Sequence, residues 1–190
     1  MIKRIGLFGG SFNPIHNAHI ILIKQIIRKK LVDEVWIIPC KKHNFNKHLL
    51  STSDRIKMIK LAMAELKKVK INNVELKMRG KSCTFKTLRR LKQENRNKEF
   101  YLVIGADILQ KIKRWYKYKK LVKETKFIIS ARKGYKLARN PDLRIEKIVD
   151  LKQDNISSKS IREKVKEGKS ISKLVPRKVE EYIKKNKLYA

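Results

Sequence analysis

The sequence has few cysteines and no long apolar run, and both absences limit what the protein can be. Its two cysteines, Cys40 and Cys83, stand far apart and form neither a disulfide framework nor a Cys-x-x-Cys zinc motif. No apolar run approaches the roughly 20 residues that a membrane-spanning helix requires. The start, Met1-Ile2-Lys3-Arg4, enters a strand-like segment and lacks the apolar stretch of a signal peptide. We therefore expect free thiols, a cytoplasmic location and no membrane partner.

Acidic residues are also scarce, since 17 Asp and Glu stand against 50 Lys and Arg, a formal net charge of +33. A charge of this size is common in nucleic-acid-binding proteins. Lysine is spread along the whole chain, however, together with many Ile and Asn, as an A- and T-rich coding genome would produce. No recognised nucleic-acid motif with interleaved aromatics is present. We expect a basic, solvated surface that attracts anionic nucleotides, without a specific nucleic-acid partner.

Strand-like and helix-like segments alternate along the chain. Buried-strand patterns cover residues 4–8, 34–39, 69–71, 74–78, 100–104, 127–130 and 145–149. Helical patterns cover residues 17–30, 82–93 and 111–122, a helix from Ser53, and two short helices after Asn155 and from Pro176. This alternation predicts an α/β fold, a doubly wound Rossmann-like parallel sheet with helices on both faces. We find no repeat, linker or composition break, so residues 1–190 should form a single domain.

The turn after the first predicted strand carries the most informative motif, Gly9-Gly10-Ser11-Phe12-Asn13-Pro14-Ile15-His16-Asn17-Ala18-His19. Glycines let a phosphate approach the backbone N–H groups, although the spacing matches neither G-x-G-x-x-G nor a Walker P-loop. His16 and His19 are three residues apart at a helix start, so both side chains can point towards one spot at its positive end. Two imidazole donors there suit a polyphosphate whose charge shifts during a reaction. A structural pair that caps the turn is the alternative.

A second anion site is predicted at Asn155-Ile156-Ser157-Ser158-Lys159-Ser160-Ile161-Arg162. Serine hydroxyls and backbone N–H groups at a helix start, followed by an arginine one turn later, are typical of such a site. An ordinary serine-capped helix is the alternative. In doubly wound sheets, ligands bind beyond the carboxyl ends of the strands, so this segment, the first motif and the turn 105–107 are the places where we expect the chemistry.

These motifs resemble those of the nucleotidylyltransferase superfamily, GxFxPxHxGH and ISSTxIR, with Ala18 and Lys159 as the departures. Other segments resemble the bacterial nicotinate-nucleotide adenylyltransferases: Gly105-Ala106-Asp107, Trp115-Tyr116, Ser82-x-Thr84, Ala131-Arg132-Lys133-Gly134-Tyr135, and the close from Leu174-Val175-Pro176 to Leu188-Tyr189. Two departures matter within that family. Cys83 stands where it has tyrosine, and the loop after Pro39 lacks its PPHK, with Lys47 as the match for its lysine.

The resemblance implies an enzyme that joins ATP to nicotinate mononucleotide, giving deamido-NAD and pyrophosphate in NAD biosynthesis. It implies catalytic roles for His16, His19 and Arg162. The implied ATP contacts are Gly9, Gly10, Ser11, Phe12, Gly105, Asp107, Arg132, Ser157, Ser158 and Ile161. The implied mononucleotide contacts are Asn13, Lys47, Thr84, Trp115 and Tyr116, with Trp115 stacking on the pyridine ring. Mg²⁺ would arrive with ATP, held by phosphate oxygens and water without a fixed protein site, and both a monomer and a homodimer stay open.

Three other functions remain as alternatives. Pantetheine-phosphate adenylyltransferase belongs to the same superfamily, but it typically has threonine where His16 stands and lacks the Trp-Tyr pair. A basic nucleic-acid-binding module with a vestigial nucleotide fold would bind random duplex without turnover. A nucleotide sensor would bind ATP and release no pyrophosphate. For single residues, a core position for Trp115 and Tyr116 and a helix-cap role for Asp107 are the alternatives.

Overall fold

A computed structural model describes residues 2–41, 49–80, 83–131, 140–150 and 156–190. The strands are β1 (Lys3–Gly10), β2 (Glu34–Pro39), β3 (Val69–Ile71), β4 (Lys98–Gly105), β5 (Lys126–Ser130) and β6 (Ile145–Val149). They form one six-stranded sheet in the order β3-β2-β1-β4-β5-β6, and every pairing is parallel. The strand order reverses between β1 and β4, which makes the carboxyl ends of these two strands the expected position of a ligand crevice.

Eight α-helices lie in the part of the chain that the structure describes: α1 (Asn17–Arg28), α2 (Thr52–Met63), α3 (Val74–Lys77), α4 (Thr84–Glu94), α5 (Ala106–Leu109), α6 (Tyr118–Glu124), α7 (Ser158–Lys166) and α8 (Arg177–Lys185). A 3₁₀ turn, Ile112–Arg114, lies between α5 and α6 in the chain. In these described ranges, no helix is long and apolar enough to cross a membrane.

The helices cover both faces of the sheet because successive strand residues point to opposite sides. In β4, Phe100, Leu102 and Ile104 belong to one buried cluster, and Tyr101 and Val103 belong to the other. Helices α1, α2, α7 and α8 contribute to the second cluster, whereas α4, α5 and α6 contribute to the first. Both faces are therefore apolar, which explains why the strands have continuous hydrophobic runs. The predicted fold class is confirmed.

The strand predicted at 74–78 is wrong, since Val74–Lys77 forms the short helix α3. The Asn72 side chain accepts a hydrogen bond from the Val74 N–H at 2.9 Å, which satisfies a donor at the helix start. Val74 and Met78 are both buried, at 6% and 9% exposure. Residues four apart lie on one face of a helix and also on one face of a strand. The spacing of Val74 and Met78 therefore fits a helical turn as well as a strand.

The helix predicted at 111–122 is interrupted. The 3₁₀ turn ends at Trp115, which has an extended backbone, and α6 starts only after Lys117, which has a left-handed φ of 52°. Trp115 packs against the core cluster, whereas the next residue, Tyr116, is 50% exposed. Pro176, predicted as a first helical residue, is instead the N-cap of α8.

Candidate active site

The first motif begins inside β1, which extends through both glycines. Gly9 pairs with Ile38 and Gly10 with Pro39 in the ladder to β2. A Cβ on Gly9 would meet no atom within 4 Å, so this backbone faces open space at the end of the sheet. A Cβ on Gly10 would lie 3.0 Å from Cζ of Phe12, a buried residue with a left-handed φ of 47°. A side chain at position 10 would therefore crowd the Phe12 ring, whereas Gly9 leaves room for a ligand.

His16 and His19 stack on each other at the start of α1. His16 is the N-cap, His19 is the third helical residue, and their ring centroids are 3.6 Å apart. The His16 N–H donates to Nδ1 of His19 at 3.3 Å. Because Nδ1 accepts, the neutral His19 ring carries its proton on Nε2 and can donate from there. The two residues thus cap the helix, which was the alternative to a catalytic role. The same hydrogen bond also orients the Nε2–H donor of His19.

Two phenyl rings and the His16 ring enclose His19. The Phe8 and Phe12 ring centroids lie 5.5 and 5.3 Å from the His19 centroid, both edge-on. His16 itself is buried at 3% exposure, whereas His19 is half-buried. Packing of this kind restricts the imidazole to one orientation, which is what preorganised donation to a ligand needs.

The second motif lies directly against the first, although they are far apart in the sequence. Arg162 donates from Nη1 to the carbonyl oxygens of Asn13 at 2.8 Å and Ser158 at 3.0 Å. The Ser158 hydroxyl donates to the Pro14 carbonyl at 2.9 Å. The side chain of Ser157, the N-cap of α7, accepts from the Ser160 N–H at 3.1 Å. The structure therefore brings the positive ends of α1 and α7 to one place.

Two residues that were expected to contact the substrates, Ile161 and Asn13, have buried side chains. Ile161 is fully buried in the core beneath α7, and its N–H donates to the Ser157 carbonyl. Asn13 is 2% exposed, and its Oδ1 accepts from the Tyr189 hydroxyl at 2.8 Å and from the Leu50 N–H at 3.4 Å. Both residues hold the walls of the crevice together.

Gly105 and Asp107 are at the end of β4, next to the end of β1. Gly105 is the N-cap of α5, and a Cβ there would lie 2.3 Å from Oδ1 of Asp107. The Asp107 carboxylate therefore folds back over Gly105 at the carboxyl edge of the sheet. The position of this carboxylate leaves no room for a side chain at residue 105, which explains the glycine there. It also keeps a negative charge beside the crevice.

The residues expected at the pyridine end lie around the start of α4. Thr84 is its first helical residue and Cys83 its N-cap. Phe85, next in the chain, contacts the Tyr116 ring edge-on at a centroid distance of 6.3 Å. Trp115 is half-buried against the same core cluster. The core alternative thus holds in part for Trp115 but not for the exposed Tyr116.

Two lysines lie over the Tyr116 ring, and sequence reasoning did not single them out. The Nζ atoms of Lys86 and Lys117 are 5.8 and 5.3 Å from the ring centroid. These are cation–π distances, and they place positive charge beside the expected mononucleotide contacts. In the sequence, Lys86 and Lys117 are close to Thr84 and Tyr116, and this could have suggested a role. With 50 Lys and Arg in the chain, however, such proximity distinguishes few lysines.

Sequence reasoning also missed Arg55, a buried arginine in the first turns of α2. It is 1% exposed and donates to the carbonyl oxygens of Ser11 at 2.9 Å, Cys40 at 3.0 Å and Leu50 at 3.2 Å. Burial raises the pKa of the adjacent Cys40 thiol, against the opposing effect of the Arg55 charge. Arg55 thus connects the loop after β1 to the end of β2, and it adds a permanent positive charge behind the crevice.

Some expected site residues cannot be placed. Arg132, Lys47 and Ser82 lie outside the described residues. Within the ranges that the structure describes, no group of three or more His, Cys, Asp or Glu side chains could hold a metal ion.

The comparisons with known proteins agree with this geometry. A cytidylyltransferase-like family model matches residues 7–164, a range that contains both motifs. The fold, the crevice and this match define the chain as a nucleotidyltransferase. It is also 33% identical over 190 residues to the nicotinate-nucleotide adenylyltransferase of Bacillus subtilis (strain 168), covering 99% of each chain. The chain therefore belongs to the nicotinate-nucleotide adenylyltransferases of the cytidylyltransferase-like family.

Solved structures of the same kind of enzyme share the fold. A Plasmodium falciparum nicotinic acid mononucleotide adenylyltransferase complexed with NaAD superposes with a TM-score of 0.84 at 26% identity, covering 98% of this chain and 97% of that one. The same enzyme complexed with APC gives a TM-score of 0.83 at 25% identity, with the same coverage. The family predicted from the motifs is thus confirmed.

Proposed function

We propose that this enzyme transfers the adenylyl group of ATP to nicotinate mononucleotide, forming deamido-NAD and pyrophosphate in NAD biosynthesis. The observation that carries the proposal is that Arg162 donates to Asn13, in the loop that leads into the stacked His16–His19 pair, at the strand-order reversal of the sheet. The names of the relatives and the NaAD complex of the Plasmodium falciparum enzyme support this pair of substrates.

In the proposed reaction, the 5′-phosphate oxygen of the mononucleotide attacks the α-phosphorus of ATP, and the bond from that phosphorus to the bridging oxygen of pyrophosphate breaks. Both reacting groups are phosphates, so no protein nucleophile is required. Catalysis then consists of positioning and of stabilising negative charge that moves onto the departing pyrophosphate. The Nε2–H of His19 and the Arg162 guanidinium are the proposed donors, with His16 orienting His19.

The other contacts divide by substrate. The Gly9, Gly10, Ser11 and Phe12 loop and the Ser157, Ser158 and Ile161 backbone would surround the polyphosphate, and Gly105, Asp107 and Arg132 would line the adenosine side. Thr84, Trp115, Tyr116 and Lys47 would contact the mononucleotide, with Asn13 supporting the wall between the two. Mg²⁺ would be carried by the nucleotide, held by phosphate oxygens and water, and would neutralise phosphate charge when bound.

We further propose one domain, a cytoplasmic location and no specific nucleic-acid partner. Lysines spread along the chain make few simultaneous phosphate contacts, so binding to duplex DNA should be weak and should vanish near physiological salt.

Pyrophosphate release from ATP tests the reaction directly, with nicotinate mononucleotide, nicotinamide mononucleotide and phosphopantetheine offered separately as acceptors. We expect release with nicotinate mononucleotide. Release with phosphopantetheine alone would identify the pantetheine-phosphate enzyme instead. ATP binding without release from any acceptor would identify a nucleotide sensor.

Replacing Arg162 should weaken ATP binding more than mononucleotide binding. A charge-assisted contact to phosphate is worth about 1.5–3 kcal/mol, so Arg162→Ala should raise the KM for ATP roughly 10- to 150-fold. The KM for the mononucleotide should change much less. Arg177→Ala, on the exposed side of α8, is the matched control and should leave both constants unchanged. Equal changes in the two constants for Arg162→Ala would contradict the assignment.

We expect nicotinate mononucleotide to be preferred over nicotinamide mononucleotide. A carboxylate only accepts hydrogen bonds and carries a full negative charge, whereas a carboxamide also donates. Mispairing one buried polar group costs about 1–3 kcal/mol, which predicts a 5- to 150-fold preference in kcat/KM. The positive charges of Lys86 and Lys117 act in the same direction.

The lysines give this preference a structural test. The double variant Lys86→Met with Lys117→Met should narrow the preference several-fold by lowering kcat/KM for the nicotinate substrate alone. Lys178→Met, an exposed lysine of α8, serves as the control. Equal kcat/KM values for the two mononucleotides with the unmodified enzyme would exclude the nicotinate assignment and leave adenylyl transfer intact.

A further inference from the structure

Asn13 is the point where three parts of the chain meet behind the candidate active site. It lies in the loop between Phe12 and Pro14, and its carbonyl oxygen accepts from Arg162. Its side-chain oxygen accepts from the Tyr189 hydroxyl at 2.8 Å. The loop that leads into the His16–His19 pair is thus held from α7 on one side and from the C-terminal segment on the other.

The backbone after α8 turns back sharply to bring Tyr189 to this position. Lys187 and Tyr189 have left-handed φ values of 47° and 67°, and the Leu188 N–H donates to the Ile183 carbonyl at 3.0 Å. Left-handed conformations are uncommon for residues other than glycine and persist where surrounding contacts compensate for their cost. Insertion of the Tyr189 side chain against Asn13 is such a contact.

The Tyr189 hydroxyl is suited to act as a lasting donor. The residue is half-buried, and Leu188 and Tyr189 pack against the core cluster that contains Phe8, Phe12 and Ile15. Burial raises the pKa of the Tyr189 phenol, so the group stays protonated at physiological pH. The phenol can therefore donate to Asn13 over the whole physiological pH range.

We infer that Tyr189 is a positioning residue for adenylyl transfer: through Asn13 it holds the Phe12–Ile15 loop so that His19 and Arg162 face the same phosphates. The inference rests on the proposed function, because it assigns Tyr189 a part in that reaction. Displacing catalytic donors by a fraction of an ångström lowers turnover far more than it weakens ground-state binding.

Tyr182 provides a matched control for this role. Its hydroxyl donates to Oδ1 of Asp54 at 2.8 Å, the same distance as the Tyr189 bond, and it also connects the C-terminal region to the body of the fold. The Tyr182 hydrogen bond, however, goes to α2 and not to the Phe12–Ile15 loop. Tyr182→Phe and Tyr189→Phe each remove one hydroxyl and one hydrogen bond, and urea unfolding of each variant measures how much stability the lost bond contributed.

Two measurements separate positioning from a purely structural role. Tyr189→Phe should lower kcat about tenfold with KM for ATP within about twofold of the unmodified enzyme, whereas Tyr182→Phe should keep both values. Amide hydrogen exchange, measured without substrates, should quicken in residues 11–19 for Tyr189→Phe and not for Tyr182→Phe. Equal kcat values for the two variants, or unchanged exchange in residues 11–19 of Tyr189→Phe, would overturn the inference.

The experiment also keeps this inference apart from the proposed function. No pyrophosphate release by the unmodified protein with nicotinate mononucleotide would refute the function. The exchange comparison needs no substrate, so it would still decide whether Tyr189 holds the loop.

Discussion

His19→Ala should lower kcat by about 10²- to 10³-fold, the usual effect of deleting one preorganised donor to a developing charge. The fold should persist, because His19 is half-buried and most of the contacts of α1 with the core come from Leu22, Ile23 and Ile26. Circular dichroism and thermal unfolding check the fold, and steady-state pyrophosphate release checks the rate. A folded variant with near-normal turnover would remove His19 from the catalytic role.

The two nitrogen atoms of His19 have different tasks, and two further variants separate them. In His19→Asn, the amide oxygen replaces Nδ1 as acceptor for the His16 N–H, but no donor reaches the position of Nε2. In His19→Gln, the longer amide can place a donor near the position of Nε2. We expect His19→Asn to be the more stable variant and His19→Gln to be the more active one. The reverse order of activities would mean that capping, and not donation, is the task of His19.

Arg55→Met should lower the free energy of unfolding by about 3 kcal/mol or more. Methionine removes the cost of burying a charge, but it leaves the carbonyl oxygens of Ser11, Cys40 and Leu50 without their donor. Each hydrogen bond from a charged donor contributes about 1.5–3 kcal/mol, so the loss outweighs the relief. Urea unfolding followed by circular dichroism measures the difference.

Two other variants make the Arg55 experiment specific. Arg55→Lys keeps the charge but replaces a planar fork by a point donor, and it should fall between Arg55→Met and the unmodified protein. Arg90→Met removes an exposed arginine paired with Glu94 on α4, and it should change stability by less than about 1 kcal/mol. An Arg55→Met protein as stable as Arg90→Met would show that the buried guanidinium adds nothing to the fold.

Sequence patterns predicted correctly those helices and strands whose limits are set by residues close together in the chain. Strand β2 matches its predicted bounds, and the helix predicted from Asn17 begins there. Both rest on periodicity and on residues such as Pro39 that end an element locally. The predictions of a strand at 74–78 and of a continuous helix at 111–122 were wrong, because the secondary structure of these segments depends on how they pack against the core. Alternation and helical spacing overlap over four or five residues, so packing decides between them.

The fold class, the family and the two phosphate-site motifs could all be predicted, because strand–helix alternation and the His-x-x-His and Ser-Ser-Lys-Ser-Ile-Arg spacings are short-range properties. The contacts between the two motifs became visible only in the folded chain. Arg162 reaches Asn13, Tyr189 turns back onto the same residue, and Arg55 joins Ser11 and Cys40, which follow β1 and β2, from inside the core. These contacts connect residues far apart in the chain, and their partners are mostly backbone carbonyl oxygens. Every residue has a carbonyl oxygen, so no pattern of side chains could identify them.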